Sequence, residues 1–408
     1  MGVALRAQGR LDEAAQAFTL GLEAQDDVAE LRLNLAATLT QLEQYDQART
    51  EYAKVLAMRP SDACAHWALY ELEQVAGNRK SALAHQSAVL DQQTIFTVQA
   101  PRERRRLIAL MAPGDWQANV PVDYLVDAQT TTLHKVYLTA GERASPALPP
   151  ADAIFTAIAY SPQNAGALAR ARDIVQRSQL PVINDPSSVA RTERAAVYAA
   201  LDGMRFVRVP QTRKYARAAL ESAGTFAFPL VIRPIGSQAG RDFERITGAA
   251  GLHAYLSRVS AAAFYVMPFI DYASSDGYYR KYRIFVVAGT PYPCHLGISE
   301  HWMVHYYNAP MREHAWMREE ERRFLEQFET VFDERLREGM SRIAGALGLD
   351  YTGLDCTIDR DGALLVFEAD PAMIVHAADE LELFAHKHAA ARAIFAAFSR
   401  LVDDARSR

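Results

Sequence analysis

Three alanines recur at intervals of 34 residues, Ala14, Ala48 and Ala82, and three leucines, Leu22, Leu56 and Leu90, keep the same interval. Phe18 is in phase with Tyr52 and Leu11 with Tyr45, and Gly9-Arg-Leu-Asp-Glu-Ala14 fills the same slot as Gln44-Tyr-Asp-Gln-Ala48. A fixed period of this length restricts residues 1–93 to helix pairs stacked on their neighbours, because one pair cannot bury its apolar face alone. The first unit is expected to lack part of its first helix, which would leave the array truncated here.

The register resembles the tetratricopeptide repeat, with too many positions in phase for a chance match among alanine-rich helices. An array of this kind implies a protein or peptide partner, or a homodimer surface. Composition narrows the classes further. Half of the 408 residues are hydrophobic and the net charge is -5, so no basic excess points to nucleic acid and no acidic or basic block to a membrane surface. Three scattered cysteines, Cys64, Cys294 and Cys356, lack metal-ligand spacing and suggest reduced thiols in a cytoplasmic protein. No apolar run reads as a secretory signal or a membrane span, and Met1-Gly2 lacks the downstream Ser or Thr of a myristoylation site.

After the charged linker 102–106 the pattern changes. Short apolar strands at 107–112, 135–138, 153–159 and 181–184 alternate with helical stretches near 121–128 and at 164–178. Alternation of this kind predicts a parallel sheet with helices on its faces and ligands beyond the carboxyl ends of its strands. Asp115, Asn119, Asn164 and Asn184 fall at those ends, as site candidates or as loop caps. Helices are expected at 188–201 and 211–222, with an extended piece at 206–210 between them.

The next motif is Phe228-Pro-Leu-Val-Ile-Arg233-Pro-Ile-Gly236-Ser237-Gln238-Ala-Gly240, a strand ending in a cation and running into a glycine-rich loop. Glycine lets backbone approach phosphate oxygens, and freed N–H groups with a guanidinium neutralise them. The spacing is not that of a P-loop. Residues 263–271 form an apolar strand leading to a linker whose backbone suits an adenine edge. Lys281 and Arg283 alternate on the next strand. The aromatic-rich loop 299–308 suits a substrate pocket, and its His301 and His305 give a weak zinc signal. Residues 313–348 read as charged helix, with 335–347 packed beneath the last motif.

That motif is a β-hairpin: strand 354–358, a tight Asp359-Arg-Asp-Gly362 turn, and strand 363–369. Alternation puts Glu368 and Asp370 on one face, where Asp355 of the partner strand can join them. Three carboxylates together need a counter-charge, and hard oxygen ligands suit Mg²⁺.

Residues 181–376 together resemble an ATP-grasp domain of the carboxylate–amine ligase type, a group that includes D-alanine–D-alanine ligase, glutathione synthetase and ribosomal-protein glutamate ligases. The resemblance rests on the Arg233-to-Gly240 motif and on Asp355 followed by Glu368-x-Asp370. It implies three parts: repeats at 1–95, a pre-grasp α/β domain at 105–187, and an α+β grasp domain at 188–408. The last would carry a small lid subdomain at 205–265 and the metal hairpin at 353–371. It also implies ATP with two Mg²⁺ ions, or Mn²⁺, held by Asp355, Glu368 and Asp370. Arg194 and Arg233 take positions usually held by nucleotide-binding lysines, and Gly236, Ser237, Gln238 and Gly240 those of the phosphate lid. Met267, Phe269 and Ile270 match the adenine hinge. Arg283 resembles the arginine that meets the transferred phosphate, with Arg233 beside it. Guanidinium is bulkier than ammonium and binds in bidentate fashion. Asp370 replaces the usual Asn, and Gly353 stands where several relatives carry a catalytic Arg. The implied activity is amide formation between a carboxylate and an amine through an acyl phosphate. The departures make an inactive nucleotide-binding regulatory module the alternative.

Overall fold

The computed structural model describes residues 1–25, 28–139, 146–222, 226–237, 240–305 and 308–407. The chain divides into two compact units, Met1–Phe96 with Pro113–Trp116, and Thr97–Ala112 with Gln117–Arg408.

The first unit is an array of antiparallel helices: α1 (Gly2–Ala7), α2 (Leu11–Ala24), α3 (Ala29–Gln41), α4 (Tyr45–Met58), α5 (Ala63–Val75) and α6 (Arg79–Leu90). Ala14, Ala48 and Ala82 are fully buried, and Phe18 and Tyr52 fill the core beside the first two. A Cβ on Gly2 of α1 would lie 2.6 Å from the Phe18 ring, so glycine there is what lets α1 reach α2.

The second unit contains three sheets. The first has the order β1-β3-β2-β4-β5, built from β1 (Ile95–Val98), β2 (Arg105–Met111), β3 (Thr131–Tyr137), β4 (Ala153–Thr156) and β5 (Val182–Ile183). β2 pairs in parallel with β3 and β4, and β4 with β5, with α7 (Val122–Leu125) and α8 (Ala165–Arg177) in the connections. Then come α9 (Pro186–Val189), α10 (Arg194–Leu201) and the short β6 (Val207–Arg208).

The second sheet is antiparallel, in the order β7-β10-β8-β9. Its strands are β7 (Arg213–Ala216), β8 (Leu230–Pro234), β9 (Glu244–Ile246) and β10 (Ala263–Pro268), backed by α11 (Arg217–Ser222) and α12 (Ala249–Arg258). Leu220, Ile232, Leu252, Leu256 and Phe264 form its core. The helix expected over 211–222 is therefore corrected: only 217–222 is helical. Arg213-Lys-Tyr-Ala216 instead pairs with β10 along four positions. The stretch has no apolar period to hold a helix, and pairing satisfies the open edge of β10.

The third sheet has the order β12-β11-β13-β14-β6, with β11 (Tyr279–Val287), β12 (Thr290–Ser299), β13 (Tyr351–Ile358) and β14 (Leu364–Asp370). Four helices, α13 (Ala315–Glu326), α14 (Phe328–Val331), α15 (Glu334–Leu347) and α16 (Leu381–Arg406), follow or intervene in the chain. Phe324 and Phe332 meet the Tyr282 ring at 4.9 and 5.1 Å, which seats this charged stretch on β11. Among the described residues no helix is long and apolar enough to cross a membrane.

Asn184 joins the first sheet to the third. Its side chain donates to the Tyr351 carbonyl at 2.7 Å and accepts from the backbone N–H groups of Asp350 and Tyr351 at 2.9 and 3.0 Å. The residue is fully buried and left-handed, with φ of 57°, a conformation that Asn tolerates better than most residues. Asn119 and Asn164 act similarly. Asn119 exchanges two bonds with the Ala112 backbone, and Asn164 donates to the carbonyls of Ala118 and Ala159. These are loop fasteners. Asp115, the fourth candidate of that group, folds with the helical unit and faces Arg79 at 3.2 Å.

Candidate functional site

The register of the third sheet puts His295, Arg283, Asp355 and Glu368 in one row across β12, β11, β13 and β14. A β-bulge lies beside Asp355, where Cys356 pairs with Val366 and Asp355 with Glu368, leaving Phe367 as the extra residue. Bulges of this kind re-aim side chains next to functional sites. The Asp359–Gly362 turn closes the hairpin as expected, with Gly362 at φ of 75° and Asp359 Oδ1 accepting from the N–H groups of Asp361 and Ala363.

Arg283 grips Asp355 through two hydrogen bonds of 2.7 and 3.0 Å, and Lys281 Nζ lies 3.0 Å from the same carboxylate. Burial alone would raise the Asp355 carboxyl, but the Arg283 and Lys281 charges outweigh it and hold the group well below the usual carboxylate range. Glu368 accepts from Arg194 at 2.6 Å. Asp370 bonds the Ala372 N–H at 2.8 Å. Burial and then the neighbouring Glu368 charge push its carboxyl up to about 6.

The expected metal set is thus divided. Both Asp355 oxygens are taken by cations, and among the described residues no three carboxylate, imidazole or thiol groups converge as a metal shell. Glu368 and Asp370 are different: burial and then the Glu368 charge make Asp370 resist ionising, and a divalent cation between the two carboxylates would relieve that. The oxygen-only donor pair fits a hard ion.

Across from this row, Arg233 of β8 is buried and makes its described hydrogen bonds to the hydroxyl and carbonyl of Ser237. Burial and then Arg194 lower its guanidinium to about 10. No carboxylate pairs with it among the described residues. A buried cation without a close carboxylate partner, at the head of a glycine loop, has the chemistry to accept an anion. Gly236 and Gly240 flank the loop at φ of 84° and 71°, a backbone only glycine adopts without strain. Gln238 lies outside the described residues. Arg194, Arg233, Lys281 and Arg283 together outnumber Asp355, Glu368 and Asp370, so this face has cationic charge to spare.

The hinge candidates lie where β10 ends. Met267 pairs with Val231, and the Phe269 N–H is already donated to the Pro229 carbonyl at 3.1 Å. That N–H is therefore not free for a base edge, and Ile270 follows it. Arg245 stacks on the Phe269 ring at 3.9 Å, and Trp302 meets both Phe269 and Phe243 edge-on at 5.6 and 5.2 Å.

Residues outside the expected set complete the picture. Glu193 caps α10 by accepting from Ala195 and Ala196 and pairs with Lys214 at 2.9 Å, while Tyr265 donates to it and is held protonated by burial and by that bond. Lys281 is the second cation on Asp355, legible from its two-residue spacing to Arg283. Trp302 had no signal beyond its aromatic loop. Gly353 backs directly on Met373, whose Sδ would lie 2.7 Å from a Cβ added there. Any side chain there would force Met373 to shift.

Residues 5–72 match the family model described as the tetratricopeptide repeat. Over those residues the helical unit is similar to the tetratricopeptide repeat. No curated protein matches the chain. Among solved structures, VanG D-Ala:D-Ser ligase from Enterococcus faecalis aligns at 12% identity and TM-score 0.47, covering 74% of this chain and 99% of that one. The D-alanine-D-alanine ligase from Coxiella burnetii aligns at 12% identity and TM-score 0.46, covering 75% and 96%. After the tetratricopeptide repeats the chain continues as mixed α/β domains.

Proposed function

We propose that the second unit is an ATP-grasp ligase that joins a carboxylate to an amine at the expense of ATP, and that the repeats offer a protein- or peptide-binding face. The observation that carries this reading is the buried Arg233, which has no carboxylate partner within salt-bridge distance among the described residues, with Arg194 and the Glu368 charge nearby. Anionic phosphates held between the two sheets would supply the missing charge. A divalent ion on Glu368 and Asp370, when bound, would neutralise phosphate oxygens.

In this reading a substrate carboxylate oxygen attacks the γ-phosphorus and ADP leaves, giving an acyl phosphate. The amine then attacks the acyl carbon, loses a proton, and phosphate departs with the bonding pair. Arg233 and Arg194 orient the phosphates, and Arg283, fixed by Asp355, presents its remaining charge to the transferred group. The glycine loop Gly236–Gly240 covers the phosphates and excludes water.

A second reading, nucleotide binding without turnover, draws on Gly353, where Met373 fills the space an arginine would need. Calorimetric titration with ATP, with and without Mg²⁺, on wild type and Arg233→Met tests the binding half. Screening amino acids in pairs for ADP release tests the chemistry. Binding lost in the variant, together with ADP release, supports the ligase. Binding without release for any pair supports the second reading, and no binding to folded wild type overturns both.

A further inference from the structure

The helical unit is not made of its repeats alone. Pro113–Trp116, four residues that follow β2 in the chain, fold with it. Side chains of α5 and α6 hold their backbone group by group. The Gly114 N–H donates to Gln86 Oε1 at 2.8 Å, the Gly114 carbonyl accepts from the Tyr70 hydroxyl at 2.6 Å, and the Trp116 N–H donates to Gln74 Oε1 at 2.8 Å. Arg79 faces the Asp115 carboxylate at 3.2 Å. Gln86 and Tyr70 are both buried. Trp67, one turn before Tyr70 on α5, walls the face with rings at 5.3 Å from Tyr70 and 5.1 Å from Phe96.

Incidental packing of a loop on a helix pair does not need this pattern. Carboxamide and phenol groups in the interior are costly unless their bonds are met. Here the two carboxamide oxygens and the phenol meet the Gly114 N–H, the Trp116 N–H and the Gly114 carbonyl of one bent tetrapeptide. A cation meets the tetrapeptide's only charged side chain, and the Nε2 atoms of Gln74 and Gln86 are buried without a hydrogen-bond partner among the described residues. Side chains that read a peptide backbone in sequence are the chemistry of peptide recognition. We propose that the α5–α6 face is a peptide-recognition site already filled in cis by Pro113–Trp116. An external peptide of the same pattern, bent in the same way and carrying a small residue, an acid and an aromatic in order, binds there only by displacing the chain's own segment. The inference is independent of the ligase reading. It also bears on recruitment, because a partner using this face competes with an intramolecular ligand that is always present.

The test uses the full chain and a fluorescein-labelled Pro-Gly-Asp-Trp peptide followed by fluorescence anisotropy. One variant carries Gly114→Pro and Asp115→Ala, which removes the N–H given to Gln86 and the carboxylate given to Arg79. A second adds Gln74→Ala and Gln86→Ala to break the receiving face. The first variant should bind the peptide at least tenfold more tightly than wild type, and the second should lose that gain. Equal binding to wild type and the first variant, or undiminished binding to the second, overturns the proposal. Amide hydrogen exchange on wild type gives a readout that does not depend on the first variant folding. Gly114 and Trp116 amides should be protected, and should lose protection in Gln74→Ala with Gln86→Ala. Fast exchange of both in wild type overturns the proposal equally.

Discussion

Arg283 and Asp355 stand directly opposite each other on neighbouring strands and share two hydrogen bonds, of 2.7 and 3.0 Å. Lys281, two residues before Arg283, reaches the same carboxylate. Asp355 is therefore a counter-ion to two cations before it can be anything else. Asp355→Asn should cost about 3–5 kcal/mol of stability, the usual penalty for stripping one partner from a buried pair. Urea unfolding measures it. A loss under about 1 kcal/mol would mean that the cations find other anions. It follows that Asp355 variants cannot separate a ligand-binding role from a folding role.

Arg233 separates them better. No carboxylate pairs with it among the described residues, and burial lowers its guanidinium to about 10, so its removal relieves a strain. Arg233→Met should leave stability unchanged or raised while weakening ATP binding about 10- to 100-fold, the loss of one charge-assisted bond of about 1.5–3 kcal/mol. Calorimetry beside thermal melting reads both quantities. Unfolding without a prior loss of affinity would contradict the assignment.

Asn184 should matter to stability alone. Asn184→Ala deletes three hydrogen bonds and leaves the N–H groups of Asp350 and Tyr351 buried without acceptors. About 2–4 kcal/mol should be lost. Asn184→Gly relieves the left-handed φ yet should lose nearly as much, because the bonds dominate. Denaturant titration of the two variants distinguishes backbone strain from bonding.

Gly353→Ala tests the space that Met373 fills. A Cβ at 2.7 Å from Sδ forces a shift, and overpacking of this kind costs about 1–3 kcal/mol. The double variant Gly353→Ala with Met373→Ala should recover part of the loss in unfolding experiments. An equal or larger loss would place the strain elsewhere.

His66 and His85 in the repeat array share a hydrogen bond between their Nδ1 atoms at 2.8 Å, while His66 Nε2 lies 2.9 Å from the Pro60 carbonyl. Burial and then His66 lower the His85 imidazole below its usual value of 6.5. A depressed histidine favours the neutral folded form, so the unfolded chain takes up more protons below about pH 6.5 and stability falls as pH drops through that value. Melting of the helical signal between pH 7.5 and 5 should reveal the decline, and His85→Gln should flatten it. A melting curve independent of pH, or one equally steep in His85→Gln, would count against this pairing.

Much of the architecture was legible along the chain. The 34-residue interval anticipated the array, because stacking is a property of period. Alternation along β11 and β14 identified which charges share a face, and the Asp359–Gly362 turn announced the hairpin. The stretch at 213–216 was not legible, since four residues have no period and only the open edge of β10 decided their state. Nor was the long α16, whose Phe398 packs on Phe155 and Tyr351 at 5.1 and 5.3 Å without any motif to mark it.

For the site, sequence alone determined the inventory: a cation before a glycine loop, alternating cations, and three carboxylates at fixed spacing. Local geometry suffices for that, because strand alternation and turn chemistry act over a few residues. Only the tertiary structure decided how the charges pair. It gave Asp355 to Arg283 and Lys281, Glu368 to Arg194, and left Arg233 without a described carboxylate partner. The reason is electrostatic. Which cation meets which anion depends on sheet register and a bulge, and Coulomb energies in a buried site turn on distances of a few ångströms that sequence spacing does not contain.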